Sequence, residues 1–148
     1  TWGAEDLAGE LGARAKRNAE GVYLDVFRFV RSSCLLAAVA NQVHPIDTVF
    51  VEITEQAALE KECAEAASMG FVGKLTIHPT QIEVVNRAFT PSEGEIAEAR
   101  ELLLAFAEAQ AAGKMAFSFK GQMVDVPHLK RARKVLAIAE QIGVQLES

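Results

Sequence analysis

Two cysteines, Cys34 and Cys63, are all that this 148-residue sequence contains. So few thiols leave no room for a disulfide scaffold or a cysteine-rich zinc site. Both lie in apolar, helix-like surroundings that suit reduced, buried thiols. Long apolar runs are missing too. The longest, residues 34–40, is about a third of the ~20 residues that cross a bilayer. No leader pattern of basic, apolar and small residues opens the chain. Nor is there a basic excess: 15 Lys and Arg stand against 20 Asp and Glu, a formal charge of −5. That balance suits nucleic acid poorly, because neutralising phosphates dominates such affinity. No nucleic-acid or membrane partner is expected, and a cytoplasmic or organellar-matrix location is. Phosphate-loop, dinucleotide-glycine, nucleophile-elbow and zinc-ligand patterns are all missing.

What is present is the composition of a packed core, 50% hydrophobic and 24% charged. Thr1-Trp2-Gly3 has no initiator Met and runs at once into Ala4-Glu5-Asp6-Leu7, which reads as the middle of a domain. Residues 4–11 suit a short helix that Gly12 would stop. A polar, basic loop follows, then a long helix over residues 22–42 with Val22, Val26, Phe29, Val30, Leu36, Val39 and Ala40 at helical spacing. Residues 48–53 read as a strand apolar enough to be covered on both faces. Thr54 would cap a helix over residues 55–68, ended by Gly70. Residues 74–77 read as a second strand, and Pro79 suits the first turn of a short helix. Thr90-Pro91-Ser92-Glu93 predicts a capping box with Thr90 at the N-cap. Ile96, Ala99, Leu103 and Phe106 then share one stripe. Residues 115–119 are strand-like, 120–122 turn the chain, 123–127 are irregular, and a last helix runs from His128 to about Gln141.

Alternating strands and helices imply βα units on a parallel sheet. In such folds the loops at the carboxyl ends of the strands carry the site. Three such loops hold candidate chemistry. Glu5-Asp6 offers oxygen donors of the kind Mg²⁺ prefers, although acids there also favour a helix dipole. Gly73 to Gln81 hands a strand over to a helix N-terminus that can receive a phosphate or carboxylate, with Lys74 adding charge. An ordinary turn with a hydrogen-bonding His78 is the alternative. Asp125 lies in an otherwise apolar stretch, where partial burial would suit it to proton transfer. It would equally serve as cap of the last helix.

In order, these segments resemble the C-terminal portion of the citrate lyase β-subunit family (citryl-CoA, malyl-CoA and citramalyl-CoA lyases). The resemblance rests on Trp2-Gly3-Ala4-Glu5-Asp6-Leu7, Pro45-Ile46-Asp47-Thr48-Val49-Phe50, Gly70 to Ile82, Phe89-Thr90-Pro91-Ser92 and Gly121-Gln122-Met123-Val124-Asp125-Val126-Pro127-His128. It implies an α/β fold, the last βα units of a (β/α)₈ TIM barrel over residues 1–89, and a helical extension over residues 90–148. Residues 75–77 would be the eighth strand, 48–53 the seventh and Thr1-Trp2 the tail of the sixth, with the first five strands upstream. The resemblance further implies that Asp6 is one of two carboxylates on Mg²⁺, its glutamate partner and a substrate arginine lying upstream of Thr1. Asp47, Ile77, His78 and Pro79 would line the CoA side of the cleft. Asp125 would be the general acid/base, reaching a neighbouring subunit of a homotrimer or higher homo-oligomer. Asn41-Gln42-Val43-His44 departs from the small Ala-Gly stretch usual in the family, so acyl specificity is not read from it.

The implied reaction is cleavage or formation of a 3-hydroxyacyl-CoA, with acetyl-CoA and an oxo acid on the other side. Thioester hydrolysis on the same fold and a non-catalytic assembly subunit are the alternatives, separable by products and by ligand binding.

Overall fold

A computed structural model describes residues 1–111, 113 and 117–143. Helix α1 spans Ala4–Leu11, and Gly12 ends it at φ +61°, a left-handed backbone that glycine adopts without a Cβ penalty. The chain divides into two compact units, Thr1–Phe89 and Thr90–Ser148.

In the first unit α1 is followed by α2 (Asp25–Ala40), β1 (Ile46–Asp47), α3 (Gln56–Met69), β2 (Gly73–Lys74), a 3₁₀ turn (Pro79–Gln81) and α4 (Ile82–Phe89). Strands β1 and β2 are parallel, with Ile46 opposite Gly73 and Asp47 opposite Lys74. A Cβ on Gly73 would stand 3.2 Å from Ile46 Cδ1, so the two strands approach closely there. The pairing lies nearer the amino end than expected: the Leu75 N–H still donates to the Asp47 carbonyl at 3.1 Å, and residues 48–53 and 76–77 then leave the ladder. The Gln81 side chain takes over their backbone groups: its Nε2 donates to the Phe50 carbonyl at 2.8 Å, and its Oε1 accepts from the Ile77 N–H at 2.9 Å. Buried backbone groups need partners, and here a buried glutamine supplies them. Helix α3 starts one residue after the expected cap. Glu55, not Thr54, holds the N-cap position and makes no side-chain capping bond.

The side that α2 buries differs from the expected stripe. Phe27, Arg31 and Leu35 face inward, whereas Phe29 and Leu36 are 72% and 70% exposed. The inward side holds a charge, Arg31, at a position where periodicity looks for an apolar residue. The outward side carries Val26, Phe29, Leu36 and Val39 at helical spacing and so dominates the reading. Phe27 and Leu35 pack with Trp2, Ala4, Tyr23, Ala66 and Phe71, and Trp2 meets Tyr23 edge-on at 5.3 Å. A second cluster joins Phe50, Leu59, Cys63, Val84 and Val85. Cys63 is fully buried and Cys34 partly so. Burial pushes the Cys63 thiol up to about 11, which leaves it protonated and inert.

The second unit is helical with one hairpin. Helices α5 (Glu93–Ala111) and α6 (Val126–Gln141) flank β3 (Phe117–Phe119) and β4 (Gln122–Val124), which pair antiparallel. Lys120 and Gly121 turn the hairpin at φ +47° and +80°, the backbone of a tight two-residue loop. Residues expected to be irregular at 123–124 therefore belong to a strand, while residues 115 and 116 lie outside the described set. Ile96 and Ala99 of α5, and Leu129, Ala132 and Ala139 of α6, are buried.

The start of α5 corrects the expected cap. Ser92, not Thr90, makes the reciprocal pair, and its partner is Glu95. The Glu95 N–H donates to Ser92 Oγ at 3.2 Å, and the Ser92 N–H donates to Glu95 Oε2 at 2.9 Å. Those bonds from Ser92 hold the Glu95 carboxyl below the usual range. Thr90 also fits the capping sequence rule, so pattern alone does not separate the two registers. Ser92→Ala is expected to cost about 1 kcal/mol in chemical denaturation, and Thr90→Ala less than about 0.5 kcal/mol.

Candidate functional site

The first unit is organised by charges taken out of water. Asp47, at the end of β1, has no exposed surface. The Trp2 indole donates to its Oδ1 at 2.7 Å. Arg31 forks onto both oxygens, at 3.2 and 2.9 Å, and the Lys74 ammonium reaches Oδ2 at 3.2 Å. Lys74 continues to Glu62 Oε1 at 2.6 Å. Glu62 also pairs with Arg17, whose guanidinium lies 3.6 Å from the centroid of the Tyr23 ring. Arg31 adds a bond to Glu65 at 3.3 Å. Burial opposes the charge on Asp47, but Lys74 and Arg31 outweigh it and hold the carboxyl below its usual range. Burial, reinforced by Glu62, drives the Tyr23 hydroxyl well above that of an ordinary phenol. A cavity of about 530 Å³ opens beside this network, bordered by Arg17, Tyr23, Arg31, Phe50, Glu62 and Glu65. Among its flanking charges Arg17 pairs with Glu62 and Arg31 with Glu65.

Two expectations change here. The Asp47 carboxylate is fully engaged by protein donors and buried, so it is not offered to a ligand. The Lys74 ammonium is equally enclosed and is not offered to a phosphate. Arg31 and Glu62 were not singled out from the sequence. A usable signal existed: opposite charges on the buried stripes of two successive helices, with an aspartate and a lysine on the strands that follow them.

Around this network three chain segments lie side by side. Trp2 and Ala4 are tied to β1, the second by an Ala4 N–H bond to Thr48 Oγ1 at 3.3 Å. The loop that leaves the carboxyl end of β2 carries Ile77-His78-Pro79, and Asp6 lies on α1. Asp6 is exposed in the first turn of α1. Glu5 beside it is paired with Lys16, whereas the Asp6 carboxylate enters no ion pair among the described residues. That carboxylate folds back over Gly3, where an added Cβ would stand 2.9 Å from Asp6 Oδ2. His78 caps the 3₁₀ turn: its Nδ1 accepts from the Thr80 N–H at 3.3 Å and contacts Thr80 Oγ1 at 2.8 Å. His78 and Pro79 are exposed and Ile77 is 52% exposed, so this loop presents an accessible edge held from behind by Gln81. Gln81 is a further positioning residue that the sequence reading left without a role.

Among the described residues no cluster of three or more acids, histidines or cysteines is arranged to hold a metal. Mg²⁺ does not need one, since one or two carboxylates with water and substrate oxygens suffice. An accessible, unpaired Asp6 fits one such position.

Asp125 belongs to the second unit. It is the N-cap of α6, and its side chain is 58% exposed rather than partly buried. Its Oδ1 lies 2.7 Å from His128 Nδ1. Both roles weighed for it are compatible with this place: it begins the helix and still offers its carboxylate to solvent.

Parallel strands β1 and β2, joined through α3 and followed by the structured loop at Ile77-His78-Pro79, form a β/α unit of the kind that builds α/β barrels of the TIM class. More narrowly, the chain belongs to the family of C–C bond lyases of the TIM-barrel fold, whose model matches residues 3–144. It is 44% identical over 135 residues to a citrate lyase subunit beta-like protein of Mycobacterium tuberculosis, covering 91% of this chain and 48% of the relative. It is 37% identical over 141 residues to a mitochondrial citramalyl-CoA lyase of Mus musculus, covering 95% and 40%. The crystal structure of protein CitE from Mycobacterium tuberculosis in complex with magnesium, acetoacetate and coenzyme A superposes with a TM-score of 0.81 at 43% identity, over 94% of this chain and 51% of that one. The chain thus spans about half the length, or less, of the curated relatives it matches.

The charge network has a signature in acid. Folded Asp47 stays ionised to lower pH than the unfolded chain does. Its contribution is complete above the unfolded value near 3.9 and is lost as pH falls through the depressed folded value. Asp47→Asn is therefore expected to lower stability at pH 7 by about 3–5 kcal/mol. It should also lose less than the wild type between about pH 4 and pH 2, as read from urea midpoints across that range.

Proposed function

We propose that the whole protein is a Mg²⁺-dependent lyase that breaks, or forms, a carbon–carbon bond in a 3-hydroxyacyl-CoA such as malyl-, citramalyl- or citryl-CoA. The products of cleavage are acetyl-CoA and an oxo acid. The observation that carries this reading is the exposed Asp6 carboxylate, left unpaired among the described residues, in the first turn of α1. The relatives support it: one is a citramalyl-CoA lyase, and a solved neighbour holds magnesium, acetoacetate and coenzyme A.

Asp6 would hold Mg²⁺ together with a carboxylate from a part of the barrel outside these 148 residues. The ion supplies Lewis-acid polarisation of the substrate's hydroxyl or carbonyl oxygen. Ile77, His78 and Pro79 line the CoA side, kept in place by Gln81 and, through β1, by Asp47. Asp125 moves the proton at carbon. In cleavage the substrate hydroxyl gives up its proton to solvent as its oxygen becomes the carbonyl of the oxo acid, the bond between that carbon and the α-carbon breaks, its electron pair enters the thioester enolate, and protonated Asp125 gives its proton to the enolate carbon. In condensation it removes that proton from the acetyl methyl group.

Asp125 serves the barrel of a neighbouring subunit in a homotrimer or higher homo-oligomer. Asp6→Ala and Asp125→Asn, made separately in the full-length protein, should each lower kcat by about 10²–10⁴. Mixed oligomers of the two variants should regain about a quarter of wild-type turnover, since half the barrels keep Asp6 and half the neighbours keep Asp125. Loss in both singles with no recovery on mixing would place the two residues in one subunit's site. Full activity in Asp125→Asn would remove it from the mechanism.

A further inference from the structure

We infer that His128 is a positioning residue for Asp125, locking one carboxylate oxygen so that the other faces the reacting carbon. This rests on the reading of Asp125 as the acid/base group. One ring nitrogen, Nδ1, faces two partners: Asp125 Oδ1 at 2.7 Å and the backbone N–H of Asp125 at 3.3 Å. It cannot serve both. A protonated Nδ1 donates to the carboxylate, whereas an unprotonated Nδ1 accepts the N–H and turns a lone pair towards Oδ1. The contact to the carboxylate is the shorter, and a donor to an ionised acceptor makes the stronger bond. In that state the ring holds Oδ1, the Asp125 side chain also caps the His128 backbone, and the carboxylate, 58% exposed, keeps a lone pair to carry the proton.

The need for such a lock follows from exposure. The Asp125 and His128 side chains are 58% and 50% exposed, so packing does not fix either one. Both are carried by the first turn of α6, with Pro127 between them and the buried Leu129 and Ala132 anchoring the turn. The two side chains therefore move with one rigid helix end and order each other. Other charges border the cavity of about 250 Å³ beside His128: Glu95 and Glu98 from α5, Lys120 from the hairpin turn and Arg131 from α6. Glu95 is engaged by Ser92, and Lys120 by Glu101 at 2.7 Å. Asp125 is thus the carboxylate in hydrogen-bond contact with the ring.

The test uses the full-length enzyme with Mg²⁺ and its CoA ester. His128→Leu removes the donor, while His128→Asn keeps an N–H donor at the place of Nδ1. His128→Leu should lower kcat about 10- to 100-fold, the loss expected from a misplaced reacting group, with KM changed less than about twofold. His128→Asn should recover most of kcat. Wild-type kcat in His128→Leu, equal losses in both variants, or a loss confined to KM would overturn the inference. Nitrogen NMR of the labelled ring gives a second readout that does not need turnover or a folded leucine variant. Nδ1 should carry the proton in the wild type and give it up to Nε2 in Asp125→Asn; the same tautomer in both would also overturn it. Should Asp125→Asn itself keep full turnover, the acid/base reading fails, and the NMR result still decides separately whether the bond exists.

Discussion

The carboxylate of Asp47 is the fixed point of the first unit. It sits at the end of a two-residue strand, with no access to water, and accepts bonds from Trp2, Arg31 and Lys74. These donors come from three separate parts of the chain: the segment before α1, helix α2 and strand β2. A buried charge tolerates few arrangements, because losing one partner leaves the others uncompensated at a cost of about 3–5 kcal/mol. Meeting all three donors at once sets where α2 lies on the strands. It also sets where the loops emerge. Glu62 and Arg17 extend the same condition to α3 and to the loop before α2.

From that fixed point the charges divide into two kinds. Asp47 and Glu62 are buried and paired and hold the unit together. Asp6 and Asp125 are exposed, each in or beside the first turn of a helix. Carboxylates that must meet a cation or move a proton need access, and access gives up the ordering that burial provides. Asp125 regains some order from His128. The loop at Ile77-His78-Pro79 is likewise open in front and bonded behind by Gln81.

Local signals in the sequence were read well where the chemistry is local. Gly12 and Gly70 end helices through left-handed backbone, a property of glycine itself. The α1 boundaries follow from the same logic. Signals that depend on distant partners were not readable. The inward side of α2 was hidden because Arg31 occupies it, and Arg31 belongs there only once Asp47 is opposite. The strands were set too far along because residues 50 and 77 bond to a glutamine side chain instead of to each other. Asp47 and Lys74 looked like ligand-binding charges, and only their mutual burial shows them to be structural. The α5 cap was misplaced by two residues because Thr90 and Ser92 both satisfy the local rule, and only the bonds to Glu95 separate them.

The central claim is that this scaffold, in the whole protein, serves carbon–carbon bond cleavage in a CoA ester. The most direct measurement is product analysis by mass spectrometry after incubating the full-length protein with Mg²⁺ and malyl-, citramalyl- or citryl-CoA in turn. One of them should yield acetyl-CoA and the matching oxo acid in equal amounts, with no turnover when Mg²⁺ is chelated. Free CoA together with the intact hydroxy acid, without acetyl-CoA, would contradict the account and assign thioester hydrolysis instead.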